Sequence, residues 1–199
     1  MTCIAAYKDH TGAIWVGSDM LASSIDQSVS RFETAMPKVF HLGQFTIGYA
    51  GCFRFGQIMQ YQWTPPDPDP RLDDLCYMSS VVAESLSDHL EAHDMLKDSH
   101  VLDGGEALIA YKDSIYLVQD DFSVITVQRP FLAIGSGSDS AMGAMFAYSS
   151  VCDDDNGSEA VGIALRAAGH FSGVCGSEFV ILKHGAKKPS RSRKPTKSP

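Results

Sequence analysis

The sequence has no apolar run long enough to cross a bilayer, and it does not begin with a basic stretch followed by an apolar segment. These two absences argue against a membrane span and against a secretory signal. Cysteine is scarce as well, since the five cysteines form no CxxC pair and an odd number cannot complete a disulfide framework. We therefore expect no metal site and a cytoplasmic location in a reducing compartment. The sequence also has no Walker or Rossmann glycine pattern, and we expect no cofactor.

Positive charge is scarce in most of the chain. Seven of the 16 basic residues lie from Lys183 onward, where no acidic residue occurs, so the first 182 residues set nine basic side chains against 24 acidic ones. Such an acidic body is a poor partner for nucleic acid. The basic, Pro- and Ser-rich segment 185–199 is predicted to be a disordered tail, serving either as a solubilising end or as an electrostatic arm.

Residues 2–184 are predicted to form one domain, because 199 residues in total suit a single core. Apolar periodicity places strands in 2–8, 13–19, 38–43, 45–51, 106–113, 114–120, 123–128, 131–137 and 178–184, and helices in 52–63, 72–93, 138–150 and 159–171. The strands and helices come in separate blocks, which indicates an α+β fold and not alternating βαβ units. Two antiparallel sheets between two helix layers would bury every apolar face.

Four stretches carry the candidate chemistry. They are Thr2 directly after the initiator, VGSD ending in Asp19, PKVFHLGQFTIGYAG with Lys38 and Gly51, and FLAIGSGSDSAMGAMFA with Ser136 and Gly137. Each is weak by itself, because an isolated aspartate is typical of a turn and an isolated lysine of a solvated surface. In this order, with Thr at the start, the set resembles the proteasome β-subunit and HslV-like family of N-terminal nucleophile hydrolases. The resemblance spans residues 2 to about 182.

The resemblance implies a four-layer αββα sandwich and a threonine peptidase that acts on polypeptides within a ring-shaped homo-oligomer. It also raises an ATPase unfoldase as a partner. In this family the threonine hydroxyl attacks the scissile carbonyl and its own α-amine takes the proton. An α-amine titrates near neutrality, so it can act as the base without a histidine. Removal of Met1 by methionine aminopeptidase would expose Thr2.

The resemblance also implies roles for the other five residues. Asp19 would orient Lys38 and the nucleophile, and the charge of Lys38 would favour the neutral amine. Gly51 would offer its backbone N–H to the oxyanion. Ser136 and Gly137 would complete the hydrogen bonds around the amine.

One position departs from the family pattern. The family has an aspartate near the end of its fourth helix, and this chain has His170 at that place, in the stretch AAGHFSG. A local shift of the alignment would instead match Ser172 and Gly173 to a proteasomal Ser-Gly. His170 either substitutes for the carboxylate or is an ordinary, partly buried histidine. Two other functions therefore stay open: an inactive ring scaffold or binding module, and an amidase for small amides. Cys3 is a reserve nucleophile if processing removes one residue more, and otherwise a small core residue.

Overall fold

The computed structural model describes residues 2–22, 32–34, 36–96, 102, 105–172 and 175–185. Its strands are β1 Ile4–Lys8, β2 Ile14–Asp19, β3 Leu21–Ala22, β4 Phe32–Glu33, β5 Val39–Leu42, β6 Phe45–Ala50, β7 Glu106–Tyr111, β8 Ser114–Val118, β9 Val124–Thr126, β10 Phe131–Ile134 and β11 Phe179–Lys183. Its helices are α1 Phe53–Tyr61, α2 Asp74–Tyr77, α3 Ala83–Glu91, α4 Ser138–Val151 and α5 Gly157–Phe171. A π-helical turn, Met78–Val82, joins α2 to α3 without a break.

The strands form two antiparallel sheets and a small ribbon. The first sheet has the order β10-β1-β2-β11, the second has the order β5-β6-β7-β8-β9, and β3 pairs with β4. In the β1–β2 hairpin Ile4 lies opposite Ser18, so the residue before the hairpin lies beside the end of β2. Asp19 N accordingly donates to Cys3 O at 3.2 Å. This register brings the start of the chain next to Asp19.

Three clusters of buried side chains separate the layers. Because side chains alternate along a strand, Ala5 and Tyr7 of β1 face α4 and α5, whereas Ile4 and Ala6 face the second sheet. A third cluster, which includes Leu86 of α3, packs the other helices on the outer face of the second sheet. The result is a helix–sheet–sheet–helix sandwich, so the expected α+β, four-layer αββα class is confirmed.

Each predicted strand and helix has a counterpart in the structure, and the differences lie in their bounds and local form. The single helix expected over 72–93 runs from Asp74 to Glu91 and contains the π-helical turn. The segment 20–36, which has little periodicity, contributes the two short strands of the ribbon. The tail expected over 185–199 lies, apart from Gly185, outside the described residues. Within the described part of the chain, no helix has the length and apolarity needed to span a bilayer.

Candidate active site

Four sequence-distant segments meet at the start of the chain. Thr2 lies directly before β1, and only 4% of its surface is exposed. Asp19 ends β2, Lys38 precedes β5 of the second sheet, and Ser136 lies in the turn between β10 and α4. The structure therefore brings together side chains that the sequence spreads over more than 130 positions.

The Asp19 carboxylate organises this region through four hydrogen bonds. Its Oδ1 accepts from Cys3 N at 2.9 Å and from Lys38 Nζ at 3.0 Å. Its Oδ2 accepts from Leu21 N and from Gly176 N, both at 3.2 Å. Asp19 is 1% exposed, and a carboxylate so deeply buried requires several donors. Asp19 is therefore not an ordinary turn residue.

Lys38 is the cationic partner of this carboxylate. Its side chain crosses from the second sheet to the first, and Nζ also donates to Leu21 O at 2.7 Å. Lys38 is 2% exposed, so the alternative of a solvated surface charge is wrong for this residue. Because a buried ammonium is tolerated only when it is paired, Lys38 and Asp19 depend on each other.

The turn after β10 binds the backbone of residue 2. Ser136 Oγ accepts from Thr2 N at 3.2 Å and donates to Thr2 O at 3.3 Å. Gly137 N donates to the same carbonyl at 3.4 Å. A Cβ on Gly137 would lie within 3 Å of Cys3, Ala168 and Cys175, so only glycine fits there. Ser136 thus contacts the Thr2 nitrogen, whereas Gly137 N contacts the Thr2 carbonyl. The expected role of both residues around the amine stays a prediction.

Gly51 lies at the border of the same turn. It follows β6, is exposed and has a φ of +129°, a conformation that favours glycine. The preceding Ala50 has its Cβ 3.3 Å from the position that a Cβ on Gly135 would occupy. Gly51 therefore follows a residue whose side chain lies near Gly135 in the β10–α4 turn. Its expected role as an oxyanion donor stays a prediction.

The thiol next to Thr2 is a poor candidate nucleophile. Cys3 is fully buried, and burial raises the pKa of its thiol far above the ordinary value, with further increases from Cys175 and Asp19. Burial likewise raises the pKa of Cys175. Since the thiolate is the reactive form, the structure favours the small core residue over the reserve nucleophile for Cys3.

The segment after α5 supplies a backbone group at the place where a family carboxylate was expected. His170 is exposed and its ring lies 4.7 Å from that of Phe171, so the expectation of a partly buried histidine is wrong. Ser172 Oγ accepts from Cys175 N at 3.2 Å, and Gly173 lies outside the described residues. In this segment it is the backbone N–H of Gly176 that donates a hydrogen bond to the Asp19 carboxylate. The sequence did not predict this contact, because every residue except proline has a backbone N–H and no residue type marks it.

No metal site accompanies this arrangement in the part of the chain that is described. Groups of three or more His, Cys, Asp or Glu side chains placed to hold an ion do not occur among these residues. The polar groups at Thr2 are a hydroxyl, a carboxylate, an ammonium and backbone amides. This set suits proton transfer and the stabilisation of an oxyanion.

Comparison of the sequence with protein-family profiles and with curated proteins gives no match. Comparison with solved structures does. BPH from Thiobacillus denitrificans, in complex with epoxomicin, is 22% identical with a TM-score of 0.76, and the match covers 91% of this chain and 97% of that chain. BPH without epoxomicin gives the same identity and TM-score over 91% and 96%. Eukaryotic HslV from Trypanosoma brucei is 15% identical with a TM-score of 0.67 over 91% and 98%. The chain therefore has the HslV-like, proteasome β-type fold, which confirms the resemblance at the level of structure.

Proposed function

We propose that this chain, with its HslV-like fold, is a threonine peptidase whose nucleophile is Thr2 in the form that begins with that residue. One observation carries the proposal: the backbone nitrogen of Thr2 is bound by Ser136 Oγ, and the next N–H is bound by the buried Asp19–Lys38 pair. A free amine at residue 2 would therefore be held in a fixed position beside its own hydroxyl. The Lys38 ammonium donates to the same Asp19 carboxylate oxygen that binds the next N–H.

The reaction follows from these groups. The Thr2 hydroxyl attacks the scissile carbonyl carbon, a C–O bond forms, and the hydroxyl proton passes to the α-amine of the same residue. The tetrahedral intermediate then expels the amine half of the peptide, which takes up that proton. Water hydrolyses the resulting ester, which releases the acid half and restores the hydroxyl.

The surrounding residues assist this sequence in different ways. The positive charge of Lys38 disfavours a second positive charge on the α-amine, and thereby keeps the amine available as a base. Asp19 holds Lys38 and fixes the backbone at Cys3. Ser136 orients the amine, and the N–H of Gly51 faces the oxyanion.

Known structures of similar fold add support. The BPH of Thiobacillus denitrificans has been solved in complex with epoxomicin. We propose that this chain also binds epoxomicin, and does so at Thr2. The same proposal holds that it takes polypeptide substrates and assembles into a homo-oligomeric ring. We also propose an ATPase unfoldase as the partner of this ring. The ring is tested by native mass spectrometry of the purified chain.

The decisive experiment combines intact mass with peptide hydrolysis. A mass lighter than the full sequence by one methionine identifies the form with Thr2 first. In that form Thr2→Ala is expected to lower hydrolysis at least about 10³-fold, because the attacking atom is gone, whereas Thr2→Ser keeps a hydroxyl and retains activity. Thr11→Ala removes an exposed threonine hydroxyl in the β1–β2 turn and serves as the matched control.

The opposite results point to the second candidate, a ring scaffold without activity. One observation favours that candidate: His170, at the position where a carboxylate was expected, is exposed. A processed chain that assembles but hydrolyses neither peptides nor small amides would refute the peptidase. Hydrolysis that survives Thr2→Ala unchanged would refute Thr2 as the nucleophile.

A further inference from the structure

A carboxylate outside the set found from the sequence binds the turn that contacts the backbone of Thr2. Glu106 is the first residue of β7, and the β6–β7 register pairs it with Ala50, the residue before Gly51. Its Oε1 accepts a hydrogen bond from Gly135 N at 3.0 Å. Because β7 belongs to the second sheet and Gly135 follows a strand of the first, this hydrogen bond joins the two sheets at the end where Thr2 lies.

Gly135 is the point at which the chain leaves the β1–β10 ladder. The final pair of that ladder joins Ile4 to Ile134, and the next amide is bound by the Glu106 side chain in place of a strand carbonyl. Gly135 has a φ of +84°, and an added Cβ would lie 2.3 Å from Thr2 O. The turn is therefore in close contact with the backbone of Thr2, and a carboxylate oxygen, a stronger acceptor than a carbonyl, fixes it from the other side.

The residue next to this anchor is Ser136. Its Oγ lies 3.2 Å from Thr2 N and 3.3 Å from Thr2 O, so a shift of the Gly135 amide displaces the hydroxyl that binds the proposed base. Misplacement of a reacting group by about 1 Å can cost about 10²-fold in rate. The contact between Glu106 and Gly135 is therefore in a position to control the chemistry without touching a substrate.

We infer that Glu106 is a positioning residue: its carboxylate holds the Gly135–Ser136 turn against Thr2 and ties that turn to the strand end that leads into Gly51. The inference rests on the proposed function, in which the amine of Thr2 takes a proton and Gly51 faces the oxyanion. Glu106 acts through Ser136. It connects the group that orients the base to the strand that positions the oxyanion donor.

Four substitutions separate this role from a general loss of packing. Glu106→Ala removes the acceptor, and Glu106→Asp draws the carboxylate back by one methylene. Glu106→Gln keeps a side-chain oxygen at the same reach, and Glu106→Met fills a similar space without that acceptor. The control is Glu84→Ala, which removes an exposed glutamate from α3. Hydrogen exchange of the amides of 135–137 reports the position of the turn, and kcat and KM for a peptide substrate report the chemistry.

We expect Glu106→Ala to speed exchange at 135–137 about tenfold or more and to lower kcat about tenfold, with KM changed less than about twofold. Glu106→Asp should also speed exchange, because its carboxylate no longer reaches Gly135 N. Glu106→Gln, whose amide oxygen is a weaker acceptor at the same reach, should restore both readouts in part, and Glu84→Ala should change neither. Glu106→Met should be as impaired as Glu106→Ala. This separates positioning from packing, since methionine as well as glutamine would rescue a packing defect.

Two results would overturn the inference: exchange at 135–137 that stays at the wild-type rate in Glu106→Ala and Glu106→Asp, or a Glu106→Gln variant as impaired as Glu106→Ala. If Glu106→Ala does not fold, the comparison of Glu106→Asp with Glu106→Gln decides the question. If the wild-type chain hydrolyses no peptide, the proposed function fails, whereas the exchange measurement still tests whether Glu106 holds the turn.

Discussion

The buried pair of Asp19 and Lys38 predicts an unequal response to loss of either partner. Replacing Asp19 with alanine removes the acceptor for three backbone N–H groups and for the Lys38 ammonium. Each orphaned buried donor costs about 1–3 kcal/mol, and an unpaired buried charge costs about 3–5 kcal/mol, although the costs do not add fully because water can enter. We expect Asp19→Ala to lower the free energy of unfolding by about 4 kcal/mol or more.

Replacing Lys38 with methionine should be milder. The carboxylate of Asp19 keeps its three backbone donors, and the methionine fills the space of the lysine stem. We expect Lys38→Met to cost about 2 kcal/mol, and Asp19→Ala/Lys38→Met to cost clearly less than the sum of the single variants. The double variant contains no unpaired ammonium, so the two sites are coupled by about 1–3 kcal/mol.

The assay is urea-induced unfolding at pH 7 and at one protein concentration, since assembly would make stability depend on concentration. The matched control is the surface pair of exposed Arg71 and half-buried Asp69, whose N···O distance is 2.6 Å. The variants Asp69→Ala and Arg71→Met should leave the urea midpoint unchanged. Equal costs for Asp19→Ala and Lys38→Met, or strict additivity in the double variant, would refute the reasoning.

Two further predictions concern a turn and a histidine. Gly135→Ala should lower the free energy of urea unfolding by at least about 2 kcal/mol more than Gly43→Ala does. Both glycines have a positive φ, but of the two only Gly135 would bring a Cβ into a clash, at 2.3 Å from a backbone oxygen. Equal costs would contradict this. Burial lowers the pKa of His184, whose Nδ1 lies 2.9 Å from Thr46 Oγ1, so stability should be full above the ordinary value of 6.5 and fall as the pH drops through the lowered folded-state pKa. His184→Gln should flatten this decline between about pH 7 and pH 5, whereas exposed His170→Gln should not; an unchanged slope in His184→Gln would exclude His184 as its source.

The sequence predicted the layers well because each layer has a local periodic signal. Alternation in β1 separates Ala5 and Tyr7, which face the helices, from Ile4 and Ala6, which face the second sheet. The π-helical turn has no such signal, because its residues have the same amphipathic pattern as an α-helix.

The sequence also identified most of the side chains at Thr2, but only through the order of four motifs. It did not establish that Lys38 is buried, since a lysine next to an apolar strand faces solvent in most proteins. It suggested a partly buried His170, whereas the ring is exposed, because the face of a helix end depends on what packs against it. It gave no indication of Glu106, whose partner belongs to the other sheet.

The order of the residues is enough to show which positions are apolar, where the chain turns and that a threonine follows the initiator. Which polar groups meet depends on the folded arrangement. Ser136 and Thr2 are 134 positions apart, and Gly176 and Asp19 are 157 positions apart. No local pattern encodes such contacts, because they depend on the packing of two sheets and on the position at which each strand ends.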